Sequence, residues 1–395
     1  MEEKSLKPRI RFKGFTEVWE QRKFEDVAVI RRGLTYSPSD IRNTGIRVLR
    51  SSNIDEEYFV KFEDDVFVDK NCINIPFVNN GDILITSANG SSRLVGKHAI
   101  IHDLRHNSAV HGGFMLLASS KNPYFVNASM SSAWYKKFID LYVAGGNGAI
   151  GNLKKNDLDN YELMIPTNNE QIKIGELFKK LDAIITLHQR KFEKLSQIKK
   201  SLLEKMFPTE GSTTPKIRFK GFTEAWEQRK CSDISNRYDN LRVPVAEAKR
   251  IPGSTPYYGA NGVQDYVDGY THNGEFVLVA EDGANDLKNY PVQYVNGQIW
   301  VNNHAHVLQS NETNSTMFLK YLINSADIES VLVGGGRAKL NANVLMDLEF
   351  TVPKKNEQTK ISTLLGSVDN LITLHQRKYE KLKNIKKSLL EKMFV

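Results

Sequence analysis

At 395 residues, 40% hydrophobic and 25% charged, the chain has an ordinary globular composition and length for two to three domains. A net charge of +8 favours polyanionic partners such as nucleic acid. Cys72 and Cys231 lack C-x-x-C spacing, the N-terminus has no apolar leader and no run reaches membrane-spanning length; these features weigh against a disulfide framework, a zinc site and a membrane span, and the expectation is a soluble cytoplasmic protein.

In chain order, PRIRFKGFTEVWEQRK (8–23) comes first and returns almost unchanged as PKIRFKGFTEAWEQRK (215–230). The first insert, roughly 24–164, reads as mixed α/β with short strands at GDILIT (81–86), VGKHAII (95–101) and GFMLLA (113–118). Its polar loops hold Ser51, Asn53, Ser87, Asn89, Arg93 and Lys97. Asn and Arg suit bidentate reading of adenine and guanine, although turn formation is the commoner use of Asn and Gly in loops.

This insert closes on GGNGAIG (145–151), which satisfies G-x-G-x-x-G. A dinucleotide fold would follow it with an apolar helix, whereas here it leads into the short, polar NLKKNDLDN. The expectation is a closing loop that delivers Asn147, Asn152 and Lys154 to DNA.

The stretch 165–207 is then strongly helical. Ile174, Leu177, Leu181, Ile184, His188, Leu195, Ile198 and Leu202 form a heptad-like stripe, widened by Phe178, Ile185, Phe192 and Met206. No Pro or Gly interrupts Glu176 to Phe207, and Pro208 stops the run. Residues 352–394 repeat this stretch, with Ile361, Leu364, Val368, Leu371, His375, Leu382, Ile385 and Leu389 at equivalent places; ITLHQRK and IKKSLLEKMF recur without change. Two helices of about 50 Å each most simply pair antiparallel about a pseudo-twofold axis, with Leu389 and its equivalents as pairing residues. Lys199, Lys200, Lys386 and Lys387 read as a solvated outer face, and His188 and His375 as structural residues of the seam.

The second insert, roughly 231–351, has candidate strands at GEFVLVA (274–280), PVQYV (291–295) and HAHVLQ (304–309). RVLRSSNI (47–54) and PYYGANGV (256–263) match in position, as do SAVHGGFMLLA and IWVNNHAHVLQ. The polar cluster here is Tyr258, Asn261, Glu281, Asp282, Asn285, Asn302 and Asn303. Its closing loop GGGRAKLN (334–341) keeps glycines but abandons G-x-G-x-x-G, which a shared cofactor site would not tolerate; it offers Arg337, Lys339 and Asn341. A duplicated scaffold with rewritten inserts presents one surface twice and two different surfaces once each.

Catalytic motifs fail on inspection. The P-loop-like stretch from Gly90 has five residues between its glycines and His98 in place of Ser or Thr. NPYF (122–125) lacks a proline of the N-P-P-[YF] methyltransferase motif, and EAK (247–249) has no acid placed convincingly upstream to make a nuclease centre. No metal set and no catalytic residue is assigned.

The whole plan resembles the specificity subunit of type I restriction–modification systems. The resemblance rests on RFKGFTE-W opening each half and N-E-Q-x-K-I opening the helix after each insert, and it covers essentially the whole chain. It implies an α/β (α+β) fold with two mixed α/β target recognition domains (1–165 and 209–352) and two conserved helical regions (166–208 and 353–395). The helices would form an antiparallel coiled coil separating the domains. It also implies a non-catalytic subunit that reads a bipartite double-stranded DNA target. Two modification (methyltransferase) subunits and two restriction (motor-nuclease) subunits would join it. S-adenosylmethionine, ATP and magnesium would be bound by those partners and no cofactor by this chain. The alternatives are a self-contained restriction or methylation enzyme and a non-DNA tandem binding protein.

Overall fold

The computed structural model describes residues 7–143, 151–209, 211–334 and 338–395. Asn147 and Arg337 lie outside the described residues. Two compact units are present, one of residues 1–188 with 377–395, the other of residues 189–376. Both are mixed α/β, and no helix among the described residues is long and apolar enough to cross a membrane.

In the first unit a four-stranded antiparallel sheet runs in the order His98–Ile100, Ile83–Thr86, Met115–Ser119, Val29–Arg32. Ile83, Leu84 and Ile85 are all fully buried, as a strand covered on both faces requires. Helices Pro123–Met130 and Ala133–Tyr142 pack into the same core as Ile83 and Ile85. A second sheet pairs Ala109–His111 parallel to Ile46–Leu49. The second unit has one six-stranded sheet in the order Ser235–Arg237, Ala305–Ser310, His272–Ala280, Val292–Val301, Pro252–Gly259, Gly262–Val267. It too contains one parallel pair, Tyr257–Tyr258 against Trp300–Val301.

The long helices span Asn168–Met206 and Lys355–Met393. The first begins earlier than the uninterrupted run because Gly175 is accommodated. A Cβ there would meet the Phe125 backbone N at 2.9 Å, so glycine lets helix Pro123–Met130 approach closely. In the second unit Gly366 lies against the flexible end of the Met317 side chain.

Within each unit, segments of the two helices run antiparallel. In the first, Phe178 lies near Phe394 (centroids 6.0 Å apart) and Asp182 pairs with Lys386 at 2.8 Å. In the second, Lys199 pairs with Asp369 at 2.8 Å, while Met206 and Phe207 share a core with Ile361 and Leu365. Lys199 and Lys386 are therefore seam residues rather than solvated outer-face lysines. Burial raises the Asp182 carboxyl pKa despite the opposing pull of Lys386. Although burial acts the same way on Asp369, Lys320 and Lys199 hold it below the ordinary carboxylate range.

The buried face follows the 3.6-residue period through Ile174, Phe178, Leu181 and Ile185, and through Ile361, Leu365 and Val368. Leu177, Leu195, Leu202, Leu364, Leu382 and Leu389 are half-buried beside it. The expected pairing role fails for Ile184, Ile198, Leu371 and Ile385, which stand exposed. A strict heptad drifts off a straight helix, so these four positions turn away from the neighbour.

Candidate nucleic-acid interface

The strand ends bring the polar loops of each unit together. In the first unit Gly151–Asn152 pairs antiparallel with Ala88–Asn89, joining the segment after the glycine loop to the end of strand Ile83–Thr86. The Asn89 amide donates to Ser51 Oγ at 3.0 Å. A cavity of about 600 Å³ opens beside them, lined by Leu34, Tyr36, Arg50, Asn89, Phe114 and Met115. Arg93, on the adjacent 3-10 turn Ser92–Leu94, and Lys154 are exposed, while Lys97 is half-buried.

Two residues of this cluster are structural. Asn53 is fully buried: its Oδ1 accepts from the Arg50 N–H at 2.8 Å, and its amide donates to the Val60 carbonyl at 3.1 Å and Asp65 at 2.8 Å. Ser87 is buried and donates to the Leu153 carbonyl at 3.0 Å. Both serve to shape the loops, which corrects the expectation that they face a ligand.

In the second unit the backbone of Lys339 pairs antiparallel with that of Asp282, the equivalent junction after the second glycine loop. Asn261 donates to the Gly283 carbonyl (2.8 Å) and accepts from the Asn285 N–H (2.9 Å), closing the 283–285 turn. Asn302 is buried, with its amide 3.3 Å from Gln264 Oε1, and is likewise a loop-shaping residue; Asn303 beside it is exposed. Tyr258 is half-buried, and burial raises its phenol pKa. Asn341 is exposed immediately before helix Ala342–Asp347.

Beneath these loops lie Asp239, Glu281 and His306, whose ligand atoms fall within 4.8 Å of one another. Arg242 and Lys339 already reach Glu281 at 2.7 and 2.9 Å, and His306 spans Asp239 (2.7 Å) and the Leu340 carbonyl (2.9 Å). Burial raises the carboxyls, but hydrogen bonds from His306 and the Val307 N–H hold Asp239 below its ordinary range, and those from Arg242 and Lys339 do so for Glu281. With its charge balanced by side-chain cations, the cluster acts as a clasp on residues 339–340.

The other motifs resolve into structure. NPYF starts helix Pro123–Met130, with Pro123 in the first turn, and the Asn122 amide donates to Asn168 (2.8 Å) and Gln171 (2.9 Å). EAK is an exposed 3-10 turn at Glu247–Lys249.

Sequence reasoning missed Phe114 and His304. Phe114 is 75% exposed, although the next residue, Met115, is buried. His304 places Nδ1 2.6 Å from Asp282 Oδ1. Neither belongs to a local motif; what marks them is the tertiary hydrogen bonding of their loops.

Fold and site together define a protein with two dissimilar polar-loop recognition domains, each built onto the same helical and β-ribbon scaffold. The profile of the type I restriction modification DNA specificity domain matches twice, over residues 16–197 and 223–384, and the chain belongs to that family. A Haemophilus influenzae protein named as a type I restriction enzyme specificity subunit is 40% identical over 145 residues, 37% of this chain and 38% of that protein. The type I restriction enzyme StySPI specificity subunit of Salmonella potsdam is 22% identical over 417 residues, covering 96% of this chain and 89% of that one. The crystal structure of a type I restriction–modification system S subunit from M. genitalium shares the fold, with a TM-score of 0.71 and 14% identity over 98% of this chain and 99% of that one.

Proposed function

We propose that this chain is the non-catalytic specificity subunit of a type I restriction–modification assembly, acting in the cytoplasm on double-stranded DNA. Each recognition domain reads one half of a bipartite target. The observation that carries the reading is one scaffold used twice beneath two different sets of loops. Asn89, Arg93, Asn152 and Lys154 in one domain, and Asn303 and Asn341 in the other, are the polar residues offered to DNA.

Two modification subunits dock on the duplicated helices, and two restriction subunits join them. Exposed Ile184, Leu187 and Ile385 in the first unit and Leu371, Leu374 and Ile198 in the second occupy the same repeat positions, which suits two copies of one partner. S-adenosylmethionine, ATP and magnesium belong to those partners.

The helices also set the gap between half-sites. Adding one heptad to both lengthens each by about 10 Å, equivalent to about three base pairs of B-DNA. Methylome sequencing of that variant should return the same half-sites with a wider gap. An unchanged gap would remove the spacing role. DNA affinity of the purified complex should fall steeply with salt, as phosphate neutralisation demands.

A further inference from the structure

The two recognition domains differ in sequence, yet their backbone hydrogen bonds align them residue by residue at one loop. The Gly112 N–H donates to the Leu49 carbonyl at 2.9 Å, and the Asn302 N–H donates to the Tyr258 carbonyl at 3.1 Å. Two residues on, the Phe114 carbonyl accepts from the Ser87 N–H at 2.9 Å, and the His304 carbonyl accepts from the Glu281 N–H at 2.9 Å. Phe114 and His304 are each the last residue before a core strand, Met115–Ser119 and Ala305–Ser310. They occupy the same slot.

That slot is rigid. A second N–H, from Ala88, reaches the Phe114 carbonyl at 3.1 Å. A Cβ on Gly33 would fall 1.9 Å from the Gly112 oxygen, so the neighbouring chain lies directly against this loop. Yet the ring of Phe114 is 75% exposed. Burying a phenylalanine stabilises a fold, and this one forgoes that gain on a backbone whose carbonyl is held by the Ser87 and Ala88 N–H groups. It stands beside Arg50 and Asn89 at the mouth of the cavity.

His304 has the opposite chemistry at the same place. Its side chain is 37% exposed, and Asp282 Oδ1, 2.6 Å from Nδ1, accepts from that nitrogen and leaves Nε2 as the second polar atom of the ring. An apolar face in one domain and a hydrogen-bonding ring in the other is what two readers of unlike base pairs require.

We propose that Phe114 and His304 are paired specificity-determining residues, Phe114 reading its half-site by apolar contact with a base and His304 by a hydrogen bond between Nε2 and a base edge. This rests on the DNA-reading assignment above. Phe114 contributes nothing to phosphate attraction, so it governs which sequence is chosen and not how strongly DNA in general is held.

The test is methylome sequencing of the full chain with its methyltransferase partner, beside Phe114→Ala and His304→Ala variants. Each variant should relax base choice at one position by about tenfold or more, in one half-site only and in opposite halves. Deoxyuridine in place of thymine separates two forms of apolar contact: weaker wild-type binding identifies the thymine methyl, and unchanged binding identifies a base face. A wild-type bipartite motif that both variants reproduce unchanged overturns the proposal alone. Absence of any bipartite motif in the wild type overturns the function itself. Loss of methylation at all sites with a lowered Tm would make the two residues loop-folding elements and also overturn it. Phe114→Leu, which keeps apolar surface, should retain most of the base preference.

Discussion

Trp19 packs edge-on against Phe394, with ring centroids 6.1 Å apart and planes at 84°, tying the opening motif to the end of the second long helix. The Ile10 N–H donates to the Lys392 carbonyl at 2.9 Å in the same contact. The second unit repeats the arrangement with Trp226 against Phe207 at 6.2 Å and the Ile217 N–H on the Lys205 carbonyl at 2.9 Å. Each helix ending in KMF thus plugs the core beneath a WEQRK ribbon.

Phe394→Ala should therefore destabilise the first unit by about 3–5 kcal/mol, the usual cost of removing a buried aromatic ring. Phe207→Ala should do the same to the second. Hydrogen exchange resolved by segment would separate the two effects: each substitution should raise exchange in its own unit's core strands. Equal loss of protection in both units from either change would contradict the assignment of one plug to each core.

The duplicated arginine–glutamate pairs give a second expectation. Arg11 meets the buried Glu170 through two hydrogen bonds (2.6 and 2.7 Å), and Arg218 meets the buried Glu357 through two more (2.7 and 2.8 Å). Removing one partner leaves a buried charge alone, so Arg218→Met should cost about 3 kcal/mol. Arg218→Met with Glu357→Leu should recover much of that loss in denaturant melts. Arg22→Ala, which breaks only an exposed pair with Glu20, should leave the melt unchanged.

Stability should also fall with acid before the carboxylates titrate. Burial pushes His111 down to about 4, whereas an unfolded histidine protonates near 6.5. The unfolded chain therefore binds the proton first, and stability drops as pH falls from about 6.5 to about 4, by roughly 3 kcal/mol in total. The same sign holds for buried His98 and for His272, which burial also lowers. His111→Leu should flatten the pH dependence of Tm in that window; an unaltered slope would mean the imidazole is not the titrating group.

Much of this architecture is legible before any coordinates. The repeated 3-4 spacing defines both long helices, and short apolar runs such as those in GDILIT and GEFVLVA fall within core sheets. Periodicity does not say which neighbour a helix faces, so Ile184 and Ile385 read as pairing residues although they are exposed, and Lys199 and Lys386 read as solvated although they cross the seam. Asn53 illustrates the same limit in a loop, where residue type suggests a base reader and tertiary hydrogen bonds make a clamp. Phe114 and His304 share no letters and no local motif. Sequence layout matches their segments, and the carbonyls that Ser87 and Glu281 bond make the two residues equivalent.

The central claim, that each recognition domain reads its own half of one DNA target, is tested most directly by single-molecule methylome sequencing of a chimera. Residues 231–348 would be replaced by 24–161, placing the first domain on both scaffold positions, in cells that supply the methyltransferase partner. The account expects the native chain to give an asymmetric bipartite motif, and the chimera to give one native half-site twice as an inverted repeat. A chimera that still marks the native asymmetric motif would contradict it.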